Sequence, residues 1–106
     1  MARAIVKAPS QAKKGEIIEI RTLASHTMET GYRHSDTGKP IPRDIITRFV
    51  CTYNGVEVFS ADLYPAISAN PYLSFSTVAT ESGKLEFKWT GDNGFSVIES
   101  ADITVF

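Results

Sequence analysis

The strongest constraint on the fold is a set of short stretches in which apolar and polar residues alternate, each ending at a turn signal. The clearest is "KLEFKWT", where Leu85, Phe87 and Trp89 share one face and charged residues share the other. Alternation with a period of two is typical of half-buried β-strands, because successive side chains of a strand point to opposite faces. No segment shows the longer period of a helix, so the sequence predicts a β protein.

The predicted strands are spaced as in an antiparallel sandwich, with turn signals at intervals of roughly 8 to 12 residues. Asn54-Gly55 predicts a tight hairpin between two of them, because both residues tolerate positive φ. No linker, repeat or low-complexity tract divides the 106 residues. We therefore expect an all-β, immunoglobulin-like antiparallel β-sandwich of about seven strands, forming a single domain over residues 1–106. The strands are predicted at residues 3–8, 16–23, 44–53, 56–63, 71–80, 84–90 and 95–106.

Alternation also predicts which residues fill the core. In the strand over 44–53, the face that carries Phe49 and Cys51 is expected to point inward, which leaves Ile46 and Val50 on the other face in need of cover. Glu99 breaks the inward pattern of the last strand and predicts a bulge or bend there. The core is predicted to consist of Ile18, Ile20, Phe49, Leu85, Phe87, Trp89, Phe95 and Val97.

Charge and cysteine content restrict the classes of function. The chain carries 11 basic and 12 acidic residues, which gives no positive field for nucleic acid or for an anionic membrane. No apolar run approaches the roughly 18 residues that span a bilayer, and residues 1–6 lack the charged start and long apolar core of a signal peptide. We therefore expect no nucleic-acid partner and no membrane partner. The one cysteine, Cys51, excludes an internal disulfide.

The segment over residues 25–44, "SHTMETGYRHSDTGKPIPRD", shows neither strand nor helix periodicity. A loop of this length within one domain is often functional. It contains Met28, Tyr32 and two arginines, Arg33 and Arg43, which are residue types that suit a protein interface. Composition alone supports a docking loop and an ordinary solvent-exposed crossover equally well.

Two enzymatic interpretations of the chain are less favoured. His26 and His34, with neighbouring carboxylates, could supply metal ligands, but their spacing matches no specific ligand signature. Cys51 could act as a nucleophile, but a thiol on an apolar strand face has a raised pKa and is inert. The sequence contains no nucleophile elbow, phosphate-binding glycine loop or metalloprotease motif. We expect no enzymatic activity, no metal and no cofactor.

The residues resemble a known family over nearly the whole chain. The segments "METG", "IPRDII" and "ISANP", taken together, are similar to the Z subunit of the SoxYZ sulfur carrier. This resemblance implies a non-catalytic subunit, without a cofactor, that forms a heterodimer with a Y subunit, SoxY. A cysteine on the C-terminal arm of the Y subunit then carries thiosulfate-derived sulfur between Sox enzymes, which contact the carrier transiently. Cys51 lacks the glycine-flanked context of that cysteine, so it does not inherit the carrier role.

The resemblance also implies a periplasmic location, because Z subunits have no signal peptide of their own and are exported folded with the leader-bearing Y subunit. We hypothesise that Arg33 and Arg43 hold an anionic sulfur group during turnover, since guanidinium groups bind oxyanions in a forked geometry. Two alternatives remain: a metal-binding redox β-sandwich that uses His26 and His34, and a SoxZ-like carrier subunit of a different pathway. The interface with the Y subunit is predicted to include His26, Met28, Tyr32, Arg33, Arg43, Ile46 and Val50.

Overall fold

Eight β-strands in two sheets make up most of the computed structural model, which describes residues 3–106. Their bounds are β1 Ala4–Lys7, β2 Gln11–Ala12, β3 Ile17–Ala24, β4 Ile46–Tyr53, β5 Val56–Asp62, β6 Tyr72–Val78, β7 Gly83–Gly91 and β8 Ser96–Val105. One sheet has the order β1-β3-β6 and the other has the order β2-β8-β7-β4-β5. The predicted all-β, immunoglobulin-like β-sandwich is confirmed. Residues 1 and 2, which begin the segment where no signal peptide is expected, lie outside the described range.

The strands follow the sequence prediction closely, with one addition. β2 is only two residues long, too short to show a period in the sequence, and it pairs with β8 in parallel, whereas the other strand pairs are antiparallel. The predicted hairpin is present, since Asn54 and Gly55 have φ angles of 49° and 83° and connect β4 to β5. Within residues 3–106 the only helical element is a 3₁₀ turn, Asp92–Gly94. No helix in that range is long and apolar enough to cross a membrane.

Alternating side chains from both sheets fill the space between them. β3 alternates strictly, with Ile18 and Ile20 buried and their neighbours exposed. Phe49 and Trp89 are fully buried and lie at the centre, with ring centroids 5.0 Å apart. Such aromatic pairs contribute about 0.5–1.5 kcal/mol beyond the burial of their apolar surface. Seven of the eight predicted core residues are buried, and Phe95 is half-buried against the core.

Two details of the predicted strand faces are wrong. A β-bulge between Ile46 and Arg48 shifts the pairing of β4 with β7, so that Ile45 and Ile46 are both buried, Ile46 with 0% exposure. Ile46 therefore needs no cover from a partner. The expected bulge at Glu99 does not occur, because the β7–β8 ladder continues past it without a register shift. Glu99 is half-buried opposite Phe87, so the strand keeps its register without placing the carboxylate fully in the core.

The molecule is elongated, with extents of 60 × 23 × 18 Å and a radius of gyration of 16.2 Å. A compact chain of this length has a radius of gyration of about 13 Å. The longest strand, β8, has 10 residues and spans about 33 Å. We attribute much of the remaining length to the segment over residues 25–44, which leaves the sandwich between β3 and β4.

Candidate functional site

Residues 25–44 form a two-sided ribbon, a structure that the sequence pattern did not reveal. Two antiparallel bridges join its sides, one between Glu29 and Asp44 and one between His34 and Pro40. Glu29 and Asp44 exchange backbone hydrogen bonds of 2.8 Å in both directions. Beyond this base, residues 32–40 are exposed to solvent.

The two sides of the ribbon approach each other closely because the sequence places glycine where they touch. Gly31 has a φ of +89°, and a Cβ atom built on it would lie 3.0 Å from the Cβ of Arg43. At the tip, the N–H of Gly38 donates to the carbonyl of Ser35 at 2.8 Å. Glycine at these positive φ angles permits the turn without steric cost. The same glycines interrupt alternation, which explains why the sequence shows no strand period here.

His26 lies at the base of the ribbon, and its side chain is almost fully buried. Its Nδ1 accepts a hydrogen bond of 2.9 Å from the N–H of Met28, and its Nε2 lies 3.6 Å from Oδ1 of Asp44. The imidazole edge packs on the ring of Phe95 with centroids 4.7 Å apart. The backbone of His26 is also tied to Asn70 by two hydrogen bonds of 3.0 and 2.7 Å. His26 therefore holds the base of the ribbon against the sandwich, and its side chain is not part of an exposed surface.

Met28 is also buried, with 4% exposure. Its φ of 53° lies in the left-handed region, which costs about 1–2 kcal/mol for a residue other than glycine. The thioether sulfur of Met28 accepts a hydrogen bond of 3.2 Å from the N–H of Ile46. The N–H of Met28 donates to Nδ1 of His26. These contacts hold the unusual backbone conformation. The structure thus places His26, Met28 and Ile46, three of the predicted interface residues, inside the chain.

The two arginines of the ribbon are each engaged by a carboxylate. Arg33 binds Glu29 through Nη2 to Oε1 at 2.6 Å and Nε to Oε2 at 3.1 Å. Arg43 binds Asp92 through Nε to Oδ2 at 2.8 Å and Nη2 to Oδ1 at 2.9 Å. The hydrogen bonds from the guanidinium groups hold the pKa of Glu29 and the pKa of Asp92 below their usual range. An anionic sulfur group would have to compete with these carboxylates, which weakens the hypothesis that the arginines hold it.

Tyr32 and Val50 are the predicted interface residues whose side chains face solvent without an ion pair. Tyr32 stands on the ribbon with 79% exposure. Val50 is half-buried on the outer face of the five-stranded sheet, where the register places it in a row with Lys88 and Ile98. A shallow depression of about 220 Å³ lies over this row. Of the two predicted interface residues on this strand, only Val50 reaches solvent, because Ile46 is buried.

Cys51 is fully buried in the core, where its cross-strand neighbours are Phe59 and Phe87. Burial raises the pKa of the thiol to about 12. Only the thiolate is a nucleophile, so the thiol is chemically inert in the folded protein. The structure agrees with the sequence-based expectation that Cys51 is a packing residue.

Possible metal ligands do not form a cluster in residues 3–106, since no three side chains of histidine, cysteine, aspartate or glutamate come together there. His26 is buried at the base of the ribbon, whereas His34 lies on its exposed part. The nitrogen atoms of His26 already face the N–H of Met28 and the carboxylate of Asp44. A metal ion at His26 would have to replace at least one of these contacts.

Sequence reasoning missed an apolar exposed surface, which is the outer face of the three-stranded sheet. The side chains that it exposes are Ile5, Ile17, Leu23, Tyr72 and Val78. One signal was available in "EIIEIRTL", where Ile17 stands on the face opposite to Ile18 and Ile20. An apolar residue on the second face of a strand indicates an interaction site when neighbouring strands add further apolar residues beside it.

Comparison with known proteins gives one family and several similar folds. The model of the family described as "Sulphur oxidation protein SoxZ" matches residues 6–102. No curated protein matches the chain significantly. Among solved structures, a superoxide reductase (neelaredoxin) from Ignicoccus hospitalis is similar with a TM-score of 0.76 and 16% identity, covering 99% of this chain and 81% of that chain.

Two further solved structures have the same fold. A putative superoxide reductase from Thermotoga maritima has a TM-score of 0.74 and 16% identity, covering 97% of this chain and 85% of that chain. The sulfur carrier protein SoxY from Chlorobium limicola f thiosulfatophilum has a TM-score of 0.67 and 16% identity, covering 100% of this chain and 81% of that chain. At this level of identity the likenesses show the fold alone.

Proposed function

The chain belongs to the SoxZ family of sulfur oxidation proteins, and from this premise we propose that it is the non-catalytic subunit of a heterodimeric sulfur carrier. The observation that carries the proposal is the family match over residues 6–102, which is nearly the whole chain. In the proposed heterodimer, a SoxY-like subunit carries thiosulfate-derived sulfur on the cysteine of its C-terminal arm. This chain supplies a rigid surface that holds the subunit and is presented to the other Sox enzymes.

The chemistry of the one thiol supports a role without covalent sulfur on this chain. Covalent transfer of sulfur requires an accessible thiolate. Cys51 is the only cysteine of the sequence, it is fully buried, and its pKa is raised to about 12. The reactive thiol of the carrier therefore belongs to the partner subunit.

The ribbon supports a role in docking. It combines an exposed aromatic side chain, Tyr32, with a base that is fixed by the Arg43–Asp92 ion pair and by His26. A fixed ribbon loses little conformational entropy when a partner binds it, and exposed aromatic residues are enriched at protein interfaces. The proposed site of action is the periplasm, where the chain arrives by co-export with the leader-bearing Y subunit.

Co-expression with the SoxY-like subunit of the same organism tests the proposal. We expect the two chains to co-purify in equal amounts and thiosulfate turnover with the partner Sox enzymes to place a sulfur adduct on the Y subunit alone, as read by mass spectrometry of each chain. A Cys51→Ala variant serves as the matched control and should give the same adduct. An adduct on this chain, or turnover by this chain without the Y subunit, contradicts the proposal.

The two alternatives give different results in the same preparation. A metal-binding redox domain would contain a stoichiometric metal that is lost on His26→Ala and His34→Ala, as measured by elemental analysis. A carrier subunit of a different pathway would leave the Y-type partner with an adduct whose mass does not correspond to a thiosulfate-derived group.

A further inference from the structure

The outer faces of the two sheets differ in composition. The five-stranded sheet exposes a mixed set of charged side chains, among them Lys84, Glu86, Lys88, Arg48 and Asp62. The three-stranded sheet exposes five large apolar side chains, and the charged residues Lys7, Glu19 and Arg21 share the same face. A charged face is stable in water, whereas contiguous exposed apolar surface marks an interaction site. The described residues therefore point to the three-stranded sheet as the face that is covered by a partner.

Strand register brings the apolar residues of this face together. Leu23 pairs with Ile5 on one side and with Tyr72 on the other, so the three side chains form a single row across the sheet. Ile17 and Val78 pair at the opposite end of β3 and β6. Side chains that are directly opposite on neighbouring strands lie about 4.5–5.5 Å apart at Cβ, so Ile5, Leu23 and Tyr72 form one patch. Ile17 and Val78 form a separate pair, because the positions of Glu19 and Arg21 lie between them and this row.

The row borders a concave surface. A depression of about 300 Å³ lies over it, lined by Ile5, Lys7, Arg21, Thr22, Leu23 and Tyr72. Two further depressions of about 320 and 270 Å³ share lining residues with the first, so the three form one trough along β1 and β3. The last of them reaches Ser25 and Asn70. Asn70 is bonded to His26, so the trough ends at the base of the ribbon.

The trough carries an excess of positive charge although the whole chain has a net charge of −1. Its basic lining residues are Arg3, Lys7 and Arg21, and its one acidic lining residue is Glu19, which forms an ion pair with Arg21. A complementary surface would therefore carry carboxylates around an apolar side chain that enters the depression at Leu23.

We propose that the outer face of the three-stranded sheet, centred on Ile5, Leu23 and Tyr72, is the docking face for the SoxY-like subunit. This inference rests on the proposed function. The occupant is a sheet face of that subunit that presents an apolar anchor flanked by acidic side chains. SoxY from Chlorobium limicola f thiosulfatophilum has a fold that covers all of this chain, and sandwiches of one fold can pack sheet on sheet.

The size of the face indicates that a stable interface would need further surface, which the ribbon can provide. Three strands of about seven residues present a projected area of roughly 320 Å², whereas a stable interface buries about 800 Å² on each partner. The trough leads from the sheet to the base of the ribbon, where Tyr32 and its neighbours offer additional exposed surface. A subunit that covers the sheet and one side of the ribbon would reach the required area.

The binding affinity of the purified SoxY-like subunit for two matched double variants tests this inference. Ile5→Glu with Leu23→Glu places two carboxylates on the proposed docking face and should weaken binding by about 30-fold or more. Ile98→Glu with Ser100→Glu places two carboxylates on the outer face of the five-stranded sheet, at exposed positions of β8 outside the predicted interface, and should change the affinity by less than about threefold. Circular dichroism verifies that both variants are folded.

Equal affinity of the two double variants, with wild-type chain binding normally, overturns the docking face and leaves the proposed function intact. Failure of the wild-type chain to bind any SoxY-like subunit counts against the proposed function itself. If the first variant does not fold, Lys7→Glu replaces it, because this exposed charge reversal should weaken binding and reduce its dependence on salt concentration. An unchanged affinity and salt dependence for Lys7→Glu also overturns the inference.

Self-association provides a last discriminating outcome. Sedimentation of the wild-type chain alone should show a monomer at the concentrations used for binding. A dimer that Leu23→Glu converts to monomer, with binding of the SoxY-like subunit unchanged, would assign the face to a second copy of this chain and overturn the proposal.

Discussion

Arg43 and Asp92 lie 49 positions apart in the sequence, yet they form a two-pronged ion pair that clamps the ribbon to the turn between β7 and β8. Asp92 also accepts a hydrogen bond of 3.2 Å from the N–H of Ile45, next to the start of β4. Gly91 allows this contact, because a Cβ atom there would lie 2.3 Å from the carbonyl oxygen of Ile45. The ribbon is therefore a fixed extension of the sandwich.

The clamp predicts a pH dependence of stability. The pKa of Asp92 is lowered in the folded state, chiefly by its hydrogen bonds from Arg43. A carboxyl group with a lowered pKa contributes stability above its unfolded pKa of about 4, and this contribution is lost as the pH falls through the folded pKa. Urea denaturation at pH 7 and below pH 4 should therefore show a larger loss of stability for wild-type chain than for Asp92→Asn. The control is Asp62→Asn, which removes a carboxylate bound to Arg48 on the exposed sheet face. This variant should lose as much stability between the two pH values as the wild-type chain.

Ile46 and Val50 should respond differently to truncation. Ile46 is fully buried beside the β-bulge, so Ile46→Ala should lower the free energy of unfolding by about 2–4 kcal/mol. Val50 is half-buried on the outer face, and Val50→Ala should cost less than about 1 kcal/mol. Denaturant titration measures both values, and similar losses at the two positions would contradict the assigned faces.

Cys51 should be unreactive in the folded protein. With a pKa of about 12, only roughly one thiol in ten thousand is ionised at pH 8, and burial blocks access as well. We expect Ellman's reagent to label Cys51 only after unfolding in guanidinium chloride. Rapid labelling of the native chain would show that the strand opens locally or that the thiol is exposed.

The two histidines provide a matched pair for testing the base of the ribbon. His26→Leu leaves the N–H of Met28 without its acceptor and should cost about 1–3 kcal/mol. His34 is exposed, and His34→Leu should change stability by less than about 0.5 kcal/mol. Hydrogen exchange of the Met28 amide should accelerate only in the first variant. Unchanged exchange there would remove the assigned role of the imidazole.

Tyr32 should contribute to binding without contributing to folding. Its side chain is 79% exposed, so Tyr32→Ala should leave the unfolding transition unchanged. If the ribbon contacts the SoxY-like subunit, loss of this aromatic anchor should weaken binding by about tenfold. Tyr64→Ala removes a tyrosine of similar exposure outside the ribbon and serves as the control. Equal effects of the two substitutions would argue against a specific contact at the ribbon.

Alternation in the sequence was sufficient to predict the sandwich, because the strands that bury one face show a period of two. Leu85, Phe87 and Trp89 illustrate this, since all three are fully buried as predicted. Alternation could not predict irregularities within a strand. The bulge that buries Ile46 depends on how β4 pairs with β7, which is a contact between residues far apart in the sequence. The strand β2 was missed because two residues carry no period.

The candidate site was predicted in part. The ribbon segment was identified by its length and composition. Tyr32 is exposed on it, and its contact with a partner stays a prediction. The burial of His26 and Met28 could not be predicted, because it arises from contacts with Phe95 and Ile46 that lie far away in sequence. The apolar face of the three-stranded sheet appears only when Ile5, Leu23 and Tyr72 of three separate strands are brought into one row.

The clamped ribbon has a consequence for partner selectivity. Many proteins share the sandwich architecture, and a flat sheet face alone would distinguish poorly among them. A ribbon held at a fixed angle to the sheet adds a geometric requirement, since a binding protein must match the angle between the two surfaces as well as their chemistry. Discrimination against other sandwich proteins would then come in part from the orientation of the ribbon.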